Sequence, residues 1–574
     1  MKKYLTFVFI ILSLVSFVAC GRFSGTEEVF SSTAFFGTYV EIALYSDGNA
    51  QSDKDNLSRA KAEMIQTLTD IQDALDADGE DADIARFNAL RGGGKIAVTK
   101  FTAECFDLAR ALYGATGGAY NPTVYGLVDL WGFSSRVLSG EGGDMPYDRQ
   151  EPSVPSQKYI DAFKGLTDFE GVTLVEESDG YYLVKPADCV TVDGEEYFLR
   201  MDFGGICKGY AGDKLKEIAD KYGVKKGYFL MGQSSITFLD SPDGNGYDLD
   251  MENPLDPSQA LFTKKDIKNQ SISVSGDYQR YFEEGGKRYC HIIDCATGYP
   301  VSSEISAVFA QCESSAVCDA VTTALMTMSA EEIARISQSR EFVELGVKSV
   351  SVVKQTQRGF QVLSNAQKLS VSSGVERLKF EVTADEVKFV RSVDKGWIFA
   401  LIFVMAVVVV VVALADKNKK EGKPFAQYPN AFFARGDLAV YLLLAVAIAG
   451  VFLGVGLTFK KSTLKSVQVY CGDSLVALYD VKRQEITLSA DWQGQAEYSQ
   501  EKGKIILTVY HDAEKTKFNK VEFADGQARM TQATCFGKDC TKTFCRVYNA
   551  NQTVFCMPHD LRIVGVGEGN KGVR

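Results

Sequence analysis

Two uncharged apolar runs divide this chain and limit what it can fold into: residues 397–415, WIFALIFVMAVVVVVVALA, and residues 438–459, LAVYLLLAVAIAGVFLGVGLTF. As helices, both are long enough to cross the hydrocarbon core of a bilayer. The alternative is a buried helical hairpin inside a large core, and the unbroken Val-rich run argues against it. Residues 416–437, between the two, carry Lys417, Lys419, Lys420, Lys423 and Arg435. Basic loops stay in the cytoplasm, so this one predicts that everything before 397 and everything after 459 lies on the opposite side.

The N-terminus points the same way. MKKYLTFVFIILSLVSFVAC has two lysines, an apolar run from Tyr4 to Val18 and a small residue before Cys20, which is the layout of a secretory signal. Cys20-Gly21 after Phe17-Val18-Ala19 resembles a lipobox and implies a lipid anchor at Cys20, although Phe17 is atypical there. The alternative is an uncleaved membrane anchor, for which the run is short. The expected location is the bacterial cytoplasmic membrane, with the folded parts extracytoplasmic.

With 574 residues the chain exceeds a single ordinary core. Its net charge of −12 offers no broad basic surface, which excludes nucleic acid as the expected partner. The expected organisation is a signal over 1–20, a catalytic domain over 21–375, a linker over 376–396, the two spans with their basic loop, and a small β-rich domain over 463–570. Apolar spacing at Met64, Ile65, Leu68, Ile71 and Leu75 predicts an amphipathic helix ending near Asp76. Further helices are expected at 102–114, 208–222 and 314–328, with strands at 172–176, 180–185 and 227–231. That mixture predicts an α+β domain. The Gly-, Ser- and Pro-rich stretch 134–157 reads as a loop. Cys105, Cys189, Cys207, Cys290, Cys295, Cys312 and Cys318 lack framework spacing and read as buried thiols.

Four glycine-containing segments carry the chemistry: TGGAYNPTVYGLVDLWGF at 116–133, DFGGICKGYAGD at 202–213, SGDYQRYFEEGGKRYCHIIDCATGYPV at 275–301 and SAVCDAVTTAL at 315–325. Glycine lets backbone approach a ligand and expose amides to phosphate oxygens, although one such loop alone is more often structural. In this order, and with FFGTYVEIAL at 35–44 and IARFNAL at 84–90, they resemble the ApbE family over roughly residues 30–350. The resemblance implies a T-fold-like domain that binds FAD and Mg2+, cleaves the pyrophosphate and attaches FMN by a phosphoester bond to a Thr or Ser of a partner protein. An exported electron-transfer subunit of the Rnf or sodium-pumping quinone-reductase kind is the expected acceptor.

Asp319 and Thr323 are four apart in a helical run and so share a face, where they read either as metal ligands or as a cap with a polar face. The resemblance selects the first reading and adds the carbonyl of Gly205. It implies FAD contacts at Asp202, Lys208, Ala119, Tyr120 and Asn121, with Ile293 lining the adenine or flavin slot. His291 is the proposed general base, since an imidazole can take the proton of an incoming hydroxyl; the alternative is a histidine packed on a strand. Asp277 and Arg280 are structural or phosphate-side candidates.

Several positions depart from the family pattern. Asn121 stands in place of Asp, Phe36 in place of Met, GQSS at 232–235 in place of a GGN-like or GGD-like turn, and Cys295 in place of Pro. Asp78 falls where many relatives carry an aromatic that can stack on flavin. These departures keep open FAD hydrolysis to FMN and AMP, or a non-catalytic flavin scaffold. The tail resembles the NusG domain II-like module, carried by ATCFGKDCTKTFC at 533–545 and VFCMPHDLRI at 554–563. With Cys535, Cys540, Cys545, Cys556 and His559, either a metal site or a disulfide is expected there, and an oxidising exterior favours the disulfide.

Overall fold

The computed structural model describes residues 25–138, 152–391 and 464–567, apart from short breaks within these stretches. A ten-stranded sheet organises the first two stretches: β1 (Thr26–Phe35), β2 (Thr38–Ser46), β3 (Lys226–Met231), β4 (Ser235–Phe238), β5 (Ser271–Gly276), β6 (Ile305–Cys312), β7 (Val347–Thr356), β8 (Gly359–Ser364), β9 (Glu376–Val382) and β10 (Val387–Arg391). Spatial order follows chain order. All neighbours are antiparallel except β8 and β9.

Strand alternation gives the sheet two buried faces. Val40, Ile42 and Leu44 of β2 enter a core shared with helices, while Ala43 and Tyr45 enter a second core on the other face. The helical side holds α1 (Gln51–Leu75), α2 (Lys100–Ala115), α3 (Cys207–Lys221) and α4 (Ser315–Leu325). Leu57, Ala60, Met64, Leu68, Ile71 and Leu75 of α1 are buried at helical spacing, and Asp76 caps its end as expected. The other face is covered by a three-stranded sheet of Tyr247–Asn253, Asp256–Ile267 and Leu369–Val371. A separate cluster of Leu127, Trp131, Phe133, Tyr159, Ile160 and Phe163 forms a side lobe.

The β1–β2 hairpin closes through Phe36 (φ +52°) and Gly37 (φ +58°). Two consecutive left-handed residues give the turn that matches strand twist, and Phe is an uncommon choice for the first.

The tail is two five-stranded sheets around one core that includes Val467, Val469, Leu507, Val521, Phe523 and Ile563. The expected β-rich module is present. Of the cysteines expected to be buried thiols, Cys105, Cys290, Cys312 and Cys318 are, whereas Cys207 and Cys295 are only partly buried and Cys189 is exposed. The 134–157 stretch opens with a helical turn, Ser135–Leu138. Residues 139–151, the signal with Cys20, Cys535, Cys540 and Cys545, and both apolar runs lie outside the described residues. Among the described residues no helix is long and apolar enough to cross a membrane.

Candidate functional site

The site forms where the N-terminal ends of α3 and α4 meet. Gly209 makes that meeting possible: a Cβ on it would stand 2.2 Å from the carbonyl oxygen of Ser315. Only glycine allows backbone to approach so closely. One turn on, a Cβ on Gly212 would stand 2.4 Å from Thr237 Oγ1. Asp213 completes the junction, accepting from Ser314 Oγ (2.5 Å) and from the amides of Ser315 (2.7 Å) and Ala316 (3.1 Å). A carboxylate on amides that α4 cannot satisfy internally fixes where that helix starts. Burial holds the Asp213 carboxyl above its ordinary range, against the pull of those donors.

Asp319 is 3% exposed and is held from several sides. Oδ1 accepts from Ser235 Oγ (2.9 Å) and Ser273 Oγ (3.4 Å), and Oδ2 accepts from the amide of Gly209 (3.2 Å). The Lys208 ammonium lies 3.5 Å from Oδ2 and donates to the carbonyl of Gly204 at 2.9 Å. Burial is the largest single influence on Lys208 and disfavours its charge, but the Asp319 carboxylate, through its charge and its hydrogen bond, together with Cys207 raises the lysine above its ordinary range and keeps it protonated. The Arg280 guanidinium acts on Lys208 in the opposite sense, which puts the third glycine-containing segment at the same place.

One turn along α4, Thr323 Oγ1 donates to the carbonyl of Asp319 at 3.2 Å and lies 3.4 Å from Ser275 Oγ, which still leaves a lone pair for a further partner. Gly205 faces it: a Cβ there would lie 3.6 Å from Thr323 Oγ1 and 3.4 Å from the Tyr120 ring. Tyr120 is buried, and its hydroxyl has no hydrogen-bond partner among the described residues. Gly205, Tyr120, Thr323, Asp319 and Lys208, drawn from three segments, therefore converge. Among the described residues no three His, Cys, Asp or Glu side chains group around a metal. A hard cation here would rest on the single carboxylate of Asp319 with the neutral oxygens of Thr323 and Gly205, and this donor set fits Mg2+, which keeps several waters.

The amide of Asp202 donates to the carbonyl of Pro122 at 3.0 Å, joining the first and second segments. Its Oδ1 accepts from the amide of Gly204 at 2.8 Å. Burial, with the negative charges of Asp78 and Asp76 adding to it, pushes the Asp202 carboxyl up to about 6. Asp78 accepts a hydrogen bond from the hydroxyl of Tyr125. The acidic residue that replaces an aromatic is thus built into the wall beside Asp202.

Two of the expected ligand contacts also serve the fold. Asn121 Oδ1 accepts from the amide (2.9 Å) and hydroxyl (2.6 Å) of Thr123, while Nδ2 donates to the carbonyl of Thr167 at 2.8 Å. An aspartate could not make that last bond, which accounts for the departure at this position. Ile293 is buried in the Trp131 cluster of the side lobe. Ala119 is half-buried against the main core. His291 is half-buried at the end of the hairpin formed by Tyr281–Glu284 and Lys287–Cys290. Its amide donates to the carbonyl of Arg280 at 3.0 Å and its Nδ1 lies 3.2 Å from the same oxygen. A carbonyl only accepts, so Nδ1 carries the proton and Nε2 the lone pair that a general base needs. Burial also pushes the Asp277 carboxyl up to about 6, with Arg288 opposing.

Ser235, Ser273, Gly209 and Asp213 were not singled out from the sequence. Only GQSS, which contains Ser235, and the G-x-x-G spacing of 209–212 gave a signal.

Residues 36–345 match the sequence model of the ApbE family, more than half of the chain. The chain belongs to the ApbE family. Residues 438–568 match NusG domain II, so that match takes in the second apolar run as well as the tail. An Escherichia coli K12 protein named FAD:protein FMN transferase is 28% identical over 271 residues, covering 47% of this chain and 71% of the relative. A Vibrio cholerae protein of the same name is 25% identical over 349 residues, covering 61% and 93%. The solved flavin transferase ApbE from Vibrio cholerae superposes with a TM-score of 0.47 at 23% identity, covering 60% of this chain and 98% of that one.

The tail contains a polar cluster of its own. The rings of His511 and His559 stack with centroids 4.5 Å apart, and both reach Asn519 Oδ1, from Nε2 at 2.8 Å and from Nδ1 at 2.6 Å. Cys471 Sγ lies 3.8 Å from His511 Nδ1. Cys556 is buried. His559 is thus placed against a histidine and an asparagine; Cys535, Cys540 and Cys545, expected beside it, lie outside the described residues.

Proposed function

We propose that this chain is a FAD:protein FMN transferase that uses Mg2+ and attaches FMN to a Thr or Ser hydroxyl of an exported electron-transfer subunit of the Rnf or sodium-pumping quinone-reductase type. Its family and its relatives make it a transferase. The observation that carries the reading is the convergence of Gly205, Tyr120, Thr323, Asp319 and Lys208 at one glycine-lined junction.

The acceptor oxygen bonds to the FMN-side phosphorus, the bond from that phosphorus to the bridging oxygen breaks, and AMP leaves with the electron pair. His291 Nε2 takes the hydroxyl proton. Lys208 offsets pyrophosphate charge as a point cation, and Asp319 keeps it protonated in place. Tyr120 supplies a buried hydroxyl for a ligand oxygen. Bound by Asp319, Thr323 and the Gly205 carbonyl, Mg2+ would stabilise charge on the phosphate oxygens. Asp202 receives its hydrogen bond from Gly204 and shapes the loop that presents Gly205.

Incubating the protein with FAD, Mg2+ and a subunit of the named type is expected to give a covalently fluorescent acceptor band. Intact FAD and no band would sink the reading. A second reading, hydrolysis of FAD to FMN and AMP, is favoured by Asp78, which puts a carboxylate beside Asp202. Release of both products without any acceptor distinguishes it. The proposed location is outside the cytoplasm, held by the two apolar runs and a lipid on Cys20. Protease added to intact spheroplasts should degrade both folded regions but spare the 416–437 loop.

A further inference from the structure

The tail touches the catalytic domain at one defined place. Arg562 Nη1 donates to Ser31 Oγ at 2.8 Å, and Thr33 Oγ1 donates to the carboxylate of Asp560. Ser31 and Thr33 belong to β1, the edge strand of the ten-stranded sheet. The tail residues are well placed for such a contact. Asp560 has φ +47°, an uncommon conformation outside glycine, and its carbonyl accepts from the amide of Gly472 at 2.9 Å, so the turn is locked. The guanidinium of Arg562 is steadied over the Tyr470 ring, 4.8 Å from its centroid.

What Arg562 approaches is also unusual. Ser31 pairs with Glu41 across the hairpin, so both face the same side of the sheet. Glu41 is 1% exposed, and its carboxylate accepts from the Tyr39 hydroxyl and from the Tyr228 hydroxyl at 2.6 Å. A buried carboxylate calls for a nearby cation. The charge of Arg562 acts on Tyr39, the nearer of its two partners, and Ser31 hydrogen-bonds to the same tyrosine. Both members of the contact thus belong to a network that reaches the buried acid.

β1 leads from this contact toward the site: Thr38, just past its turn, lies against Gly232, three residues before the Ser235 that holds Asp319. Thr33 is three residues before the Phe36–Gly37 turn, roughly 10 Å along an extended strand. The amide of Phe36 donates to Gln72 Oε1 at 2.6 Å, which ties that turn to the last part of α1. Asp76 caps α1, and Asp76 and Asp78 act on Asp202.

Resting on the transferase reading, we propose that the C-terminal β domain docks permanently on β1 through Asp560 and Arg562 and forms one wall of the rim that receives the acceptor protein. Docking also requires both folded regions to lie on the same side of a membrane. That requirement is independent of the basic-loop rule.

Two readouts on the full-length chain test this. With Thr33→Cys and Asp560→Cys together, a short bis-maleimide should link the two positions, giving a proteolytic peptide that contains both. Absence of that peptide overturns the docking. With Asp560→Lys and Arg562→Glu together, the acceptor KM is expected to rise about tenfold and the thermal midpoint to fall, because Arg562 no longer faces the Glu41 network, while the KM for FAD and kcat stay within error. An Rnf-type subunit serves as the acceptor probe. An unchanged acceptor KM overturns the wall, as does an equal loss on FAD. A chain that cross-links yet transfers no FMN to any acceptor sinks the transferase reading instead, and the wall with it.

Discussion

The α3–α4 junction and the hairpin that ends at His291 are held in very different ways. Asp319 is enclosed by Ser235 of β4, Ser273 of β5, and Lys208 and the Gly209 amide of α3. His291 is half-buried at the end of a hairpin, where it meets Phe133 edge-on and bonds to the Arg280 carbonyl. A group that must stabilise phosphate charge gains from being fixed before the substrate arrives, because no reorganisation is then needed in the reaction. A group that must take a proton from a second protein has to stay reachable by it. The difference teaches that rigidity here follows chemical duty.

The strongest way to break this comparison is Asp319→Ala. Transfer should fall about a thousandfold or more, and stability by about 3 kcal/mol, because Lys208 and two serines lose their acceptor. Steady-state flavinylation and chemical denaturation check the two parts, and a stable, active variant would show that the enclosure is ornamental. His291→Ala should separate the two regions: about a 100- to 10,000-fold loss of transfer, with FAD affinity and thermal midpoint unchanged. A large loss of stability there would mean that the histidine is a packing residue.

Gly209→Ala tests how the junction is built. Its Cβ would meet the Ser315 carbonyl at 2.2 Å, so roughly 3 kcal/mol of stability should be lost with no polar group removed. The acid pair sharpens the comparison through pH. Asp202 and Asp277, both pushed up to about 6 from 3.8, bind protons more tightly in the folded state than in the unfolded one. Stability should therefore fall as pH rises from about 4 to 6 and level off above. Asp277→Asn should flatten part of that slope and stabilise the protein at pH 7 by on the order of 1 kcal/mol. The smallest effect is expected for Asn121→Asp, about 1 kcal/mol from the lost bond to Thr167, with kcat little changed.

Much of this was legible in the chain. Helix positions over 51–75, 207–221 and 315–325 follow from apolar spacing, and Asp319 with Thr323 follows from a helical repeat of four. Periodicity is local, so sequence carries it. The surroundings of Asn121 and Ile293 were not legible for the opposite reason. Whether an amide faces a ligand or Thr167, and whether an isoleucine faces a slot or Trp131, depends on chain that arrives from 46 residues or more away.

By itself, the sequence determined the apolar runs, the basic loop, the glycine-containing segments and the family, because each is written in consecutive residues. Only the tertiary structure decided that Ser235 and Ser273 hold Asp319, that Asp213 starts α4, and that Asp560 and Arg562 reach β1. Those contacts join residues as far as 531 positions apart. Such pairings have no period or spacing to betray them; they exist once packing has removed the water that would otherwise satisfy each polar group separately.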